Sequence, residues 1–378
     1  MTDIPIADDA GPHALAQAHA PRLHVLHSAS DTPCGVESFA RRIAETAGPR
    51  ARGTVLAGRT ALDLRGPGAL VINLPVVAWK SVFLSHTFAA LTARLRGRPV
   101  VVVLHEWDDL HPKRRITYLG LVLLATGLLF SCRAVEGQFA RAWPSRLATR
   151  RRGTVPIPPN VRHPGTVLRG ALAERLAAER AAGALVLGYF GSIYPKKQPL
   201  EILDVAAELK RRGRRVSVVF IGSFIRGSDA IEREFADRVA ALGLGGQVTV
   251  TGYVRGEPEL FGLFAEVDAF VYRFAEGLTP RRGSVLACLQ TGSPVVVNAP
   301  ADPDELRRHP IYGGLLDSGA LRLASPAAGA GELADAVLAA TSSRGAGTGA
   351  GGARLDVGAA WGAALAAVEA MAQPRPGA

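Results

Sequence analysis

The sequence predicts an α/β protein of two Rossmann-like, doubly wound domains that face each other across a cleft. Its 378 residues are too many for one ordinary core and suit two domains of roughly 150 residues each. Continuous runs of Val, Ile and Leu alternate with helical patterns in both halves of the chain. Such runs are typical of parallel sheets covered by helices on both faces. Hydrophobic residues make up 48% of the chain and charged residues 20%, which allows a sizeable core.

The first half opens with a strand, a loop of small residues and a helix. Leu23–Ser28 predicts the strand. The helix is predicted over Val36–Ala47, where Phe39 and Ile43 fall on one side. A helix over Ala78–Arg96 is also predicted, with further buried strands at Thr54–Ala57, Ala69–Leu74 and Val100–His105.

The second half repeats this alternation. The predicted strands are Leu185–Phe190, Val216–Ile221, Gln247–Thr251, Ala269–Arg273 and Pro294–Asn298. The predicted helices are Pro199–Arg212, Ala230–Leu242, Pro258–Val267 and Ser284–Gln290.

Prolines and glycines divide the chain into segments. The prolines of Pro156–Asn160 stop regular structure, and a helix is predicted at Arg169–Arg180. Ser342–Gly352 is almost entirely Gly, Ser, Ala and Thr, the composition of a flexible linker. We therefore predict a disordered leader at 1–20, an N-terminal domain at 21–160, an interdomain linker at 161–184, a C-terminal domain at 185–341, a flexible linker at 342–356 and a C-terminal helix at 357–372.

Charge and cysteine content restrict the partners. The net charge of +11 predicts a polyanionic partner, which is nucleic acid, anionic lipid or a phosphorylated substrate. Aromatic residues make up only 6% and no nucleic-acid-binding motif is present, so no nucleic acid partner is expected. The basic clusters Lys113–Arg115 and Arg141–Arg152 indicate an anionic membrane surface, unless they form an ordinary solvated face. Three dispersed cysteines indicate neither a zinc site nor disulfides and fit a reducing cytoplasm.

The location predicted for the protein is cytoplasmic, with peripheral attachment to the inner face of the plasma membrane. The segment 1–20 lacks the basic start and apolar stretch of a secretion signal. The apolar run Leu119–Phe130 is shorter than the ~20 residues of a spanning helix. It predicts a buried helix that runs into a short strand.

Two nucleotide-binding classes lack their sequence signatures. The first strand is not followed by the GxGxxG pattern of dinucleotide-binding folds, and no GxxxxGK[ST] phosphate loop occurs in the chain. Simple dehydrogenase and P-loop functions are therefore disfavoured. Two doubly wound units place ligands outside the carboxyl ends of their strands.

The first candidate binding segment is Gly188–Gln198, in which a strand ends in a glycine turn before two lysines. A nucleotide diphosphate requires cations and free backbone N–H groups, and Lys196 and Lys197 before a helix would supply them. The alternative is a pair of exposed lysines on an ordinary loop.

The second candidate segment follows the strand Ala269–Arg273. Glu276, Arg281 and Arg282 precede a helix whose N-terminus attracts anions, an arrangement suited to a sugar and its phosphates. Ser284 is predicted as the helix N-cap. An ordinary loop with surface arginines is the alternative.

In order and spacing, these segments resemble the donor domain of the group 1 retaining glycosyltransferases, family 4 type, which have the GT-B fold. The resemblance is carried by Gly191–Gln198, Ile221–Ser223, Thr251–Val254, Glu276–Gly277 and Gly292–Val296. In the first half, Gly35–Ala40 resembles the acceptor-side glycine loop of that family, and His105–Glu106 its histidine loop. The resemblance covers residues 22 to 310.

The resemblance implies a metal-independent transfer, without cofactor, of a sugar from a nucleotide-diphosphate sugar to a glycan or lipid-linked acceptor, with retention of configuration. Lys197 matches the phosphate-binding lysine, and Glu276 the acid that holds the sugar hydroxyls. Gly277 and Leu278 would lend backbone N–H groups, and His105 would lie near the reacting carbon. The predicted donor set also contains Gly191, Ser192, Lys196, Gly222, Thr279, Arg281, Arg282 and Ser284, and the acceptor set Gly35, Val36, Glu37 and Glu106.

The chain departs from the family pattern at two positions. Ser192 stands where the family has an arginine. The second glutamate of the family is replaced by Ser284 or, in the other alignment, by Ala287, which leaves the ribose contact unassigned. We therefore predict that Arg281 and Arg282 replace the missing arginine as the clamp on the diphosphate. Their Arg-Arg-Gly-Ser segment resembles a branch of the family found with bacterial polysaccharide assembly.

Other functions remain open from sequence. Missing family residues fit a GT-B protein that binds a nucleotide sugar or glycan without transferring it. A nucleotide-sugar 2-epimerase and a phosphorylase share the fold. The sequence does not name the sugar, the base or the acceptor.

Overall fold

The computed structural model describes residues 22–29, 34–56, 67–81, 84–225, 229–345 and 354–373. The chain forms two compact units: Pro156–Ala360 makes up the second, and the residues before and after that range make up the first. The predicted leader, 1–20, lies outside the described residues.

The first unit contains a six-stranded sheet in the order β2-β1-β3-β4-β5-β6, with every neighbouring pair parallel. Strands β3, β4 and β5 are buried along their whole length, as their continuous apolar runs predict. The strands are Leu23–His27 (β1), Ala51–Val55 (β2), Ala69–Leu74 (β3), Val100–Leu104 (β4), Gly127–Phe130 (β5) and Arg152–Thr154 (β6), and the helices are Gly35–Ala47 (α1), Ser85–Leu95 (α2), Pro112–Leu124 (α3) and Arg133–Arg141 (α4).

One helix of the first unit is shorter than predicted. The sequence predicts a helix from Ala78 to Arg96, but a 3₁₀ turn at Val77–Ser81 precedes α2. The buried Trp79 takes φ −90° and ψ 17°, and this departure from helical geometry interrupts the element.

The apolar run Leu119–Phe130 is divided as predicted. Its helical part ends with α3 at Leu124, and its strand is β5. In the described ranges, no helix is both long enough and apolar enough to cross a bilayer.

The second unit contains a six-stranded parallel sheet in the order β12-β11-β10-β7-β8-β9. Its strands are Leu185–Phe190 (β7), Val216–Ile221 (β8), Val248–Val250 (β9), Ala269–Tyr272 (β10), Val295–Asn298 (β11) and Leu321–Ala324 (β12). Its helices are Ala171–Ala181 (α5), Pro199–Arg211 (α6), Asp229–Ala241 (α7), Glu257–Ala265 (α8), Gly283–Cys288 (α9), Asp304–Arg307 (α10), Tyr312–Asp317 (α11) and Ala330–Gly345 (α12).

The strand order reverses direction between β7 and β10. From β7 the chain adds strands on one side, and from β10 it adds strands on the other. Ligands of open α/β sheets bind at such a reversal, outside the carboxyl ends of the strands. A ligand-binding site is therefore expected at the loops after β7 and β10.

The predicted interdomain linker, 161–184, contains α5, which packs into the second unit. Ala173 and Leu176 of this helix join the core of that unit. Arg169 and Arg180 both pair with Glu266, at 2.5 and 3.2 Å, and the Glu266 side chain has no exposed surface.

Glu266→Ala is expected to lower the free energy of unfolding by ~1.5–3 kcal/mol, because it removes the charged hydrogen bonds between a buried carboxylate and two arginines. Chemical denaturation of both proteins measures this change. Arg175→Ala, which removes an exposed pair with Glu179, provides the comparison and should cost less than ~1 kcal/mol. Equal stability of the Glu266→Ala protein and the wild type would contradict the role of this ion pair.

The C-terminal end of the chain returns to the first unit. Helix α12 continues to Gly345, into the predicted flexible linker, whose residues 346–353 lie outside the described part. The last helix, Val357–Ala372 (α13), belongs to the first unit from Trp361 onward. The Trp361 ring lies 5.5 Å from that of Phe39, and Arg151 donates to the carbonyl oxygens of Ala370 and Gln373 at 2.6 Å.

Candidate functional site

A cavity of about 310 Å³ lies in the second unit at the reversal between β7 and β10. The loops after these two strands and the start of α9 form most of its wall. Lining residues from the predicted donor set are Gly191, Ser192, Lys197, Arg281, Arg282 and Ser284.

Lys197 lies at the end of a 3₁₀ turn, Pro195–Lys197, and is only 7% exposed. Its ammonium lies 5.0 Å from the ring centroid of Phe274 and 5.9 Å from that of Tyr194. Burial, and after it the neighbouring Arg282, lower the pKa of Lys197 to about 7, and Glu276 partly opposes this shift. Among the described residues its Nζ has no hydrogen-bond acceptor. An anion in the cavity would satisfy this group.

Arg282 is held beside Lys197 by the same aromatic ring. Its guanidinium carbon lies 4.5 Å from the ring centroid of Phe274, and its Nη2 donates to the carboxylate of Glu276. The Nε of Arg282 is buried and has no hydrogen-bond partner in the described structure. A buried N–H without an acceptor is costly, so this donor favours an anionic or carbonyl oxygen in the cavity.

The Glu276 loop is fixed by contacts to the end of β11. Gly277 has φ 76°, and a Cβ there would lie 2.3 Å from the carbonyl oxygen of Ala299. Asn298 binds both the N–H and the carbonyl of Phe274, each at 2.9 Å. Glu276 itself is exposed, so its carboxylate is accessible to a ligand.

The structure corrects the role predicted for Gly277 and Leu278. The N–H of Gly277 donates to the carbonyl of Phe274 at 3.1 Å, and the N–H of Leu278 donates to that of Asn298 at 3.0 Å. Both donors are therefore used within the fold, because the loop folds back on β11. Neither is available to a sugar or phosphate in this conformation.

Two glycines allow the backbones of the loops after β7 and β8 to lie in close contact behind the cavity. Gly191 has φ 128° and Gly222 has φ 154°, and a Cβ on Gly222 would lie 2.1 Å from the carbonyl oxygen of Gly191. Gly222 thus supports the loop after β7 and does not itself line the cavity. The remaining predicted donor residues, Lys196, Glu276, Gly277, Leu278 and Thr279, also lie outside the cavity wall.

Ser284 is not the helix N-cap that the sequence predicts. Helix α9 begins at Gly283, and Arg282 occupies the cap position without a side-chain cap. At the last residue of this helix, the thiol of Cys288 lies 3.3 Å from the hydroxyl of Tyr272 in the core. Burial raises the pKa of the Cys288 thiol, so this cysteine is a protonated packing group.

Sequence reasoning missed Tyr194 and Asn160 among the residues that line the cavity. Asn160 follows the prolines that indicated a linker, and this segment closes one wall of the cavity. A Cβ on Gly283 would lie 3.5 Å from the carbonyl oxygen of Pro158. Tyr194 lies two residues before Lys196, and this proximity in sequence could have indicated that it lines the cavity.

In the first unit, Glu37 is used to hold the loop after β1. Its carboxylate is buried, accepts hydrogen bonds from the N–H and hydroxyl of Ser28, and pairs with Arg41 at 3.0 Å. Gly35 and Val36 form the first turn of α1. The carboxylate predicted for the acceptor side is thus engaged within the fold.

His105 follows β4 in the same unit. It is 7% exposed, its Nε2 lies 3.4 Å from Oδ1 of Asn73, and its ring meets the edge of Phe39 at 5.2 Å. These contacts fix the orientation of the imidazole. Glu106, the next residue, is half-buried.

Comparison with known proteins adds information about the fold and the second unit. The family model described as glycosyl transferases group 1 matches residues 184–342. HepE of Anabaena in complex with UDP superposes with a TM-score of 0.58 at 16% identity, covering 93% of this chain and 95% of that chain. The fold is GT-B.

Two further solved structures superpose on nearly the whole chain. A glycosyltransferase from Rickettsia africae has a TM-score of 0.55 at 10% identity, with 93% of each chain covered. A structure described as trehalose-6-phosphate from E. coli bound with UDP-2-fluoro glucose has a TM-score of 0.58 at 12% identity, covering 94% of this chain and 100% of that chain. No curated protein sequence matches the chain.

The matched segment contains most of the cavity wall and its cations. Residues 184–342 include Lys197, Phe274, Glu276, Arg281 and Arg282. Together, the segment match and the shared GT-B architecture support a glycosyltransferase and confirm the predicted fold class. In the described chain, no group of three His, Cys, Asp or Glu residues is placed to hold a metal ion.

Proposed function

We propose that the protein is a retaining glycosyltransferase that moves a sugar from a nucleotide-diphosphate sugar to a glycan or lipid-linked acceptor. We place it in polysaccharide or glycoconjugate biosynthesis, the setting that the Arg-Arg-Gly-Ser segment resembles. The observation that carries the proposal is the cation pair on Phe274. Lys197 and Arg282 line one cavity, and both belong to the segment that matches group 1 glycosyltransferases.

The cavity supplies the charge that a diphosphate requires. Lys197, Arg281 and Arg282 line it, and a diphosphate bearing about two negative charges would be neutralised by them. Within the part of the chain that the structure describes, the buried Nε of Arg282 and the Nζ of Lys197 have no hydrogen-bond acceptor. Because side chains supply this charge, we expect transfer to continue when a chelator is present.

Donor binding would also release Glu276. In the structure its carboxylate accepts from Arg282. A diphosphate that binds Arg282 competes for the same guanidinium, and the exposed carboxylate can then accept from the sugar hydroxyls. Transfer breaks the bond between the anomeric carbon and the diphosphate, which leaves with the electron pair. The acceptor oxygen forms the new bond, and its proton passes to the departing phosphate.

UDP-sugars are the first donors to test. HepE of Anabaena binds UDP and UDP-glucose, and the E. coli structure contains UDP-2-fluoro glucose. A thermal-shift panel of UDP- and GDP-sugars tests the choice, since a ligand at a hundred times its Kd stabilises the folded state by about 2.7 kcal/mol. The absence of any shift across the panel would contradict a donor site.

A second candidate is a GT-B protein that binds a nucleotide sugar without transferring it. The observation that favours it is the absence of the second family glutamate, since Ser284 and Ala287 stand at the two aligned positions. Nucleotide sugar binding without release of the nucleoside diphosphate in any acceptor mixture would support this candidate. The 2-epimerase alternative would instead convert the donor without an acceptor.

Arg281→Ala and Arg282→Ala are each expected to weaken nucleoside diphosphate binding by ~1.5–3 kcal/mol, the usual value of a hydrogen bond to a charged group. Binding of the uncharged nucleoside should change little, because it lacks the phosphates. Calorimetric titration of the diphosphate and of the matched nucleoside separates these effects. Unchanged diphosphate binding by both single variants and by the double variant would place the clamp elsewhere.

A further inference from the structure

Helix α2 of the first unit has its large apolar side chains on the solvent face. Leu84, just before the helix, and Phe88, Leu91 and Leu95 are spaced four, three and four residues apart, which places them on one side. Phe88 is 61% exposed and Leu95 80% exposed. The buried side carries His86 and the small residues Ala89, Ala90 and Ala93 instead. This arrangement is the reverse of an ordinary surface helix.

Helix α3 extends the same exposed apolar surface. Ile116 is 71% exposed and Leu123, two turns later, is 44% exposed. The two helices lie close together, since a Cβ on Gly120 would lie 2.9 Å from Cγ2 of Thr87. We call this surface the α2–α3 face, which consists of Leu84, Phe88, Leu91, Leu95, Ile116 and Leu123. An exposed apolar surface formed by several residues on a folded protein indicates a binding site.

The charged residues on the two helices of this face are all basic. Residues 84–105 and 110–135 contain no aspartate or glutamate. Arg94 and Arg96 are exposed near the end of α2, and Lys113 is exposed at the start of α3. Each of the two helices connects two parallel strands, so the helices run in the same direction. The cations at the end of α2 and at the start of α3 therefore lie at opposite ends of the helix pair.

We infer that the α2–α3 face docks on an anionic lipid bilayer, with the apolar side chains in the interface and the cations at the headgroups. An apolar helix face with basic flanks is the pattern of interfacial binding, in which apolar burial and attraction to anionic lipid act together. A second copy of the chain would bring the same positive charges together, which disfavours self-association. The inference goes beyond sugar transfer and does not depend on it.

The basic clusters Lys113–Arg115 and Arg141–Arg152 contribute less to membrane binding than their number of cations indicates, because some of these arginines are engaged within the fold. Arg115 donates to the carbonyl oxygens of Asp108 and Leu110. Arg151 and Arg152 likewise donate to backbone carbonyls within the first unit. The apolar face, which sequence reasoning did not identify, is therefore the main determinant of docking.

Sedimentation with vesicles at low salt tests the inference. The wild type is expected to bind phosphatidylcholine vesicles containing phosphatidylglycerol and to bind pure phosphatidylcholine far less. The double variant Phe88→Gln with Leu95→Gln is expected to lower the partition coefficient roughly tenfold, because it removes two interfacial apolar groups. Leu168→Gln, an equally exposed leucine of the second unit, is the matched control and should bind like the wild type.

A variant that removes charge, together with added salt, tests the electrostatic part of the inference. Arg94→Gln with Arg96→Gln should also reduce binding to the anionic vesicles, and added salt should reduce wild-type binding. Equal binding of wild type to both vesicle types, or wild-type binding by the Phe88 and Leu95 double variant, would overturn the inference. So would a loss of self-association in that variant, measured by light scattering, without a loss of vesicle binding. A retained melting temperature shows that each variant is folded, so the result is independent of donor binding.

Discussion

Glu276→Gln is expected to reduce the rate of sugar transfer by roughly 30- to 1000-fold, which corresponds to the loss of about 2–4 kcal/mol of transition-state stabilisation. The carboxylate is exposed at a loop beside the cavity, where it forms an ion pair with Arg282. The amide has the same shape but cannot accept two charged hydrogen bonds. The effect should therefore appear in turnover rather than in folding.

Kinetic and melting measurements on the same preparations separate the two effects. The melting temperature of the Glu276→Gln protein should stay close to that of the wild type, because the side chain at 276 is exposed and the amide oxygen of glutamine can still accept from Arg282. Glu234→Gln, an exposed acid on α7, is the control for a lost surface charge. Turnover near the wild-type rate would contradict the assignment of Glu276 to the sugar.

Lys197→Met is expected to raise the free energy of unfolding by ~2–4 kcal/mol at pH 7 while weakening nucleoside diphosphate binding by ~1.5–3 kcal/mol. Burial holds the pKa of Lys197 at about 7, far below its ordinary value of 10.5, so folding works against the charge of this lysine. Methionine fills similar space beside Phe274 without that charge. Stability and binding should therefore change in opposite directions.

The stabilisation by Lys197→Met is expected to depend on pH, because the folded and unfolded chains bind the lysine proton differently. Below pH 7 the lysine is protonated in both the folded and the unfolded chain, so the full cost of burying the charge remains. Between pH 7 and 10.5 the unfolded chain binds the proton and the folded chain does not, so wild-type stability rises with pH. The advantage of Lys197→Met should accordingly be largest near pH 6 and shrink toward pH 10.

Denaturation curves at several pH values measure this advantage. Lys210→Met changes an exposed lysine on α6 and should show no such pH dependence. A destabilised Lys197→Met protein with full diphosphate affinity would contradict the proposed role of Lys197 on both counts. A bound diphosphate should also raise the pKa of Lys197, so donor binding near pH 8 should take up a proton.

The sequence predicted those parts of the fold that depend on local pattern. Continuous apolar runs such as Ala69–Leu74 marked the buried strands, because a strand covered on both faces has no polar side. The short strand β6, with the pattern Arg-Gly-Thr, has no such run and was missed. The attachment of α13 depends on Trp361 meeting Phe39, a contact between residues far apart in the chain.

In the site, the sequence predicted which charged side chains line the cavity, but it did not predict the hydrogen bonds of the neighbouring backbone N–H groups. Lys197, Arg281 and Arg282 do line one cavity, as expected for loops at the ends of neighbouring parallel strands. The N–H groups of Gly277 and Leu278 were assigned to a ligand, yet they donate to the carbonyls of Phe274 and Asn298. That outcome depends on Asn298 at the end of β11, which no local pattern connects to the loop.

The most direct test of the proposed transfer is acceptor-dependent release of nucleoside diphosphate. Donors that stabilise the protein in the thermal-shift panel would be incubated with and without a polyprenyl-linked or free glycan acceptor, and the released diphosphate measured. We expect release only when acceptor is present, accompanied by a product heavier than the acceptor by one sugar, and a roughly 30- to 1000-fold lower rate for Glu276→Gln. Diphosphate release at equal rates with and without every acceptor, and by wild type and Glu276→Gln alike, would contradict sugar transfer by this site.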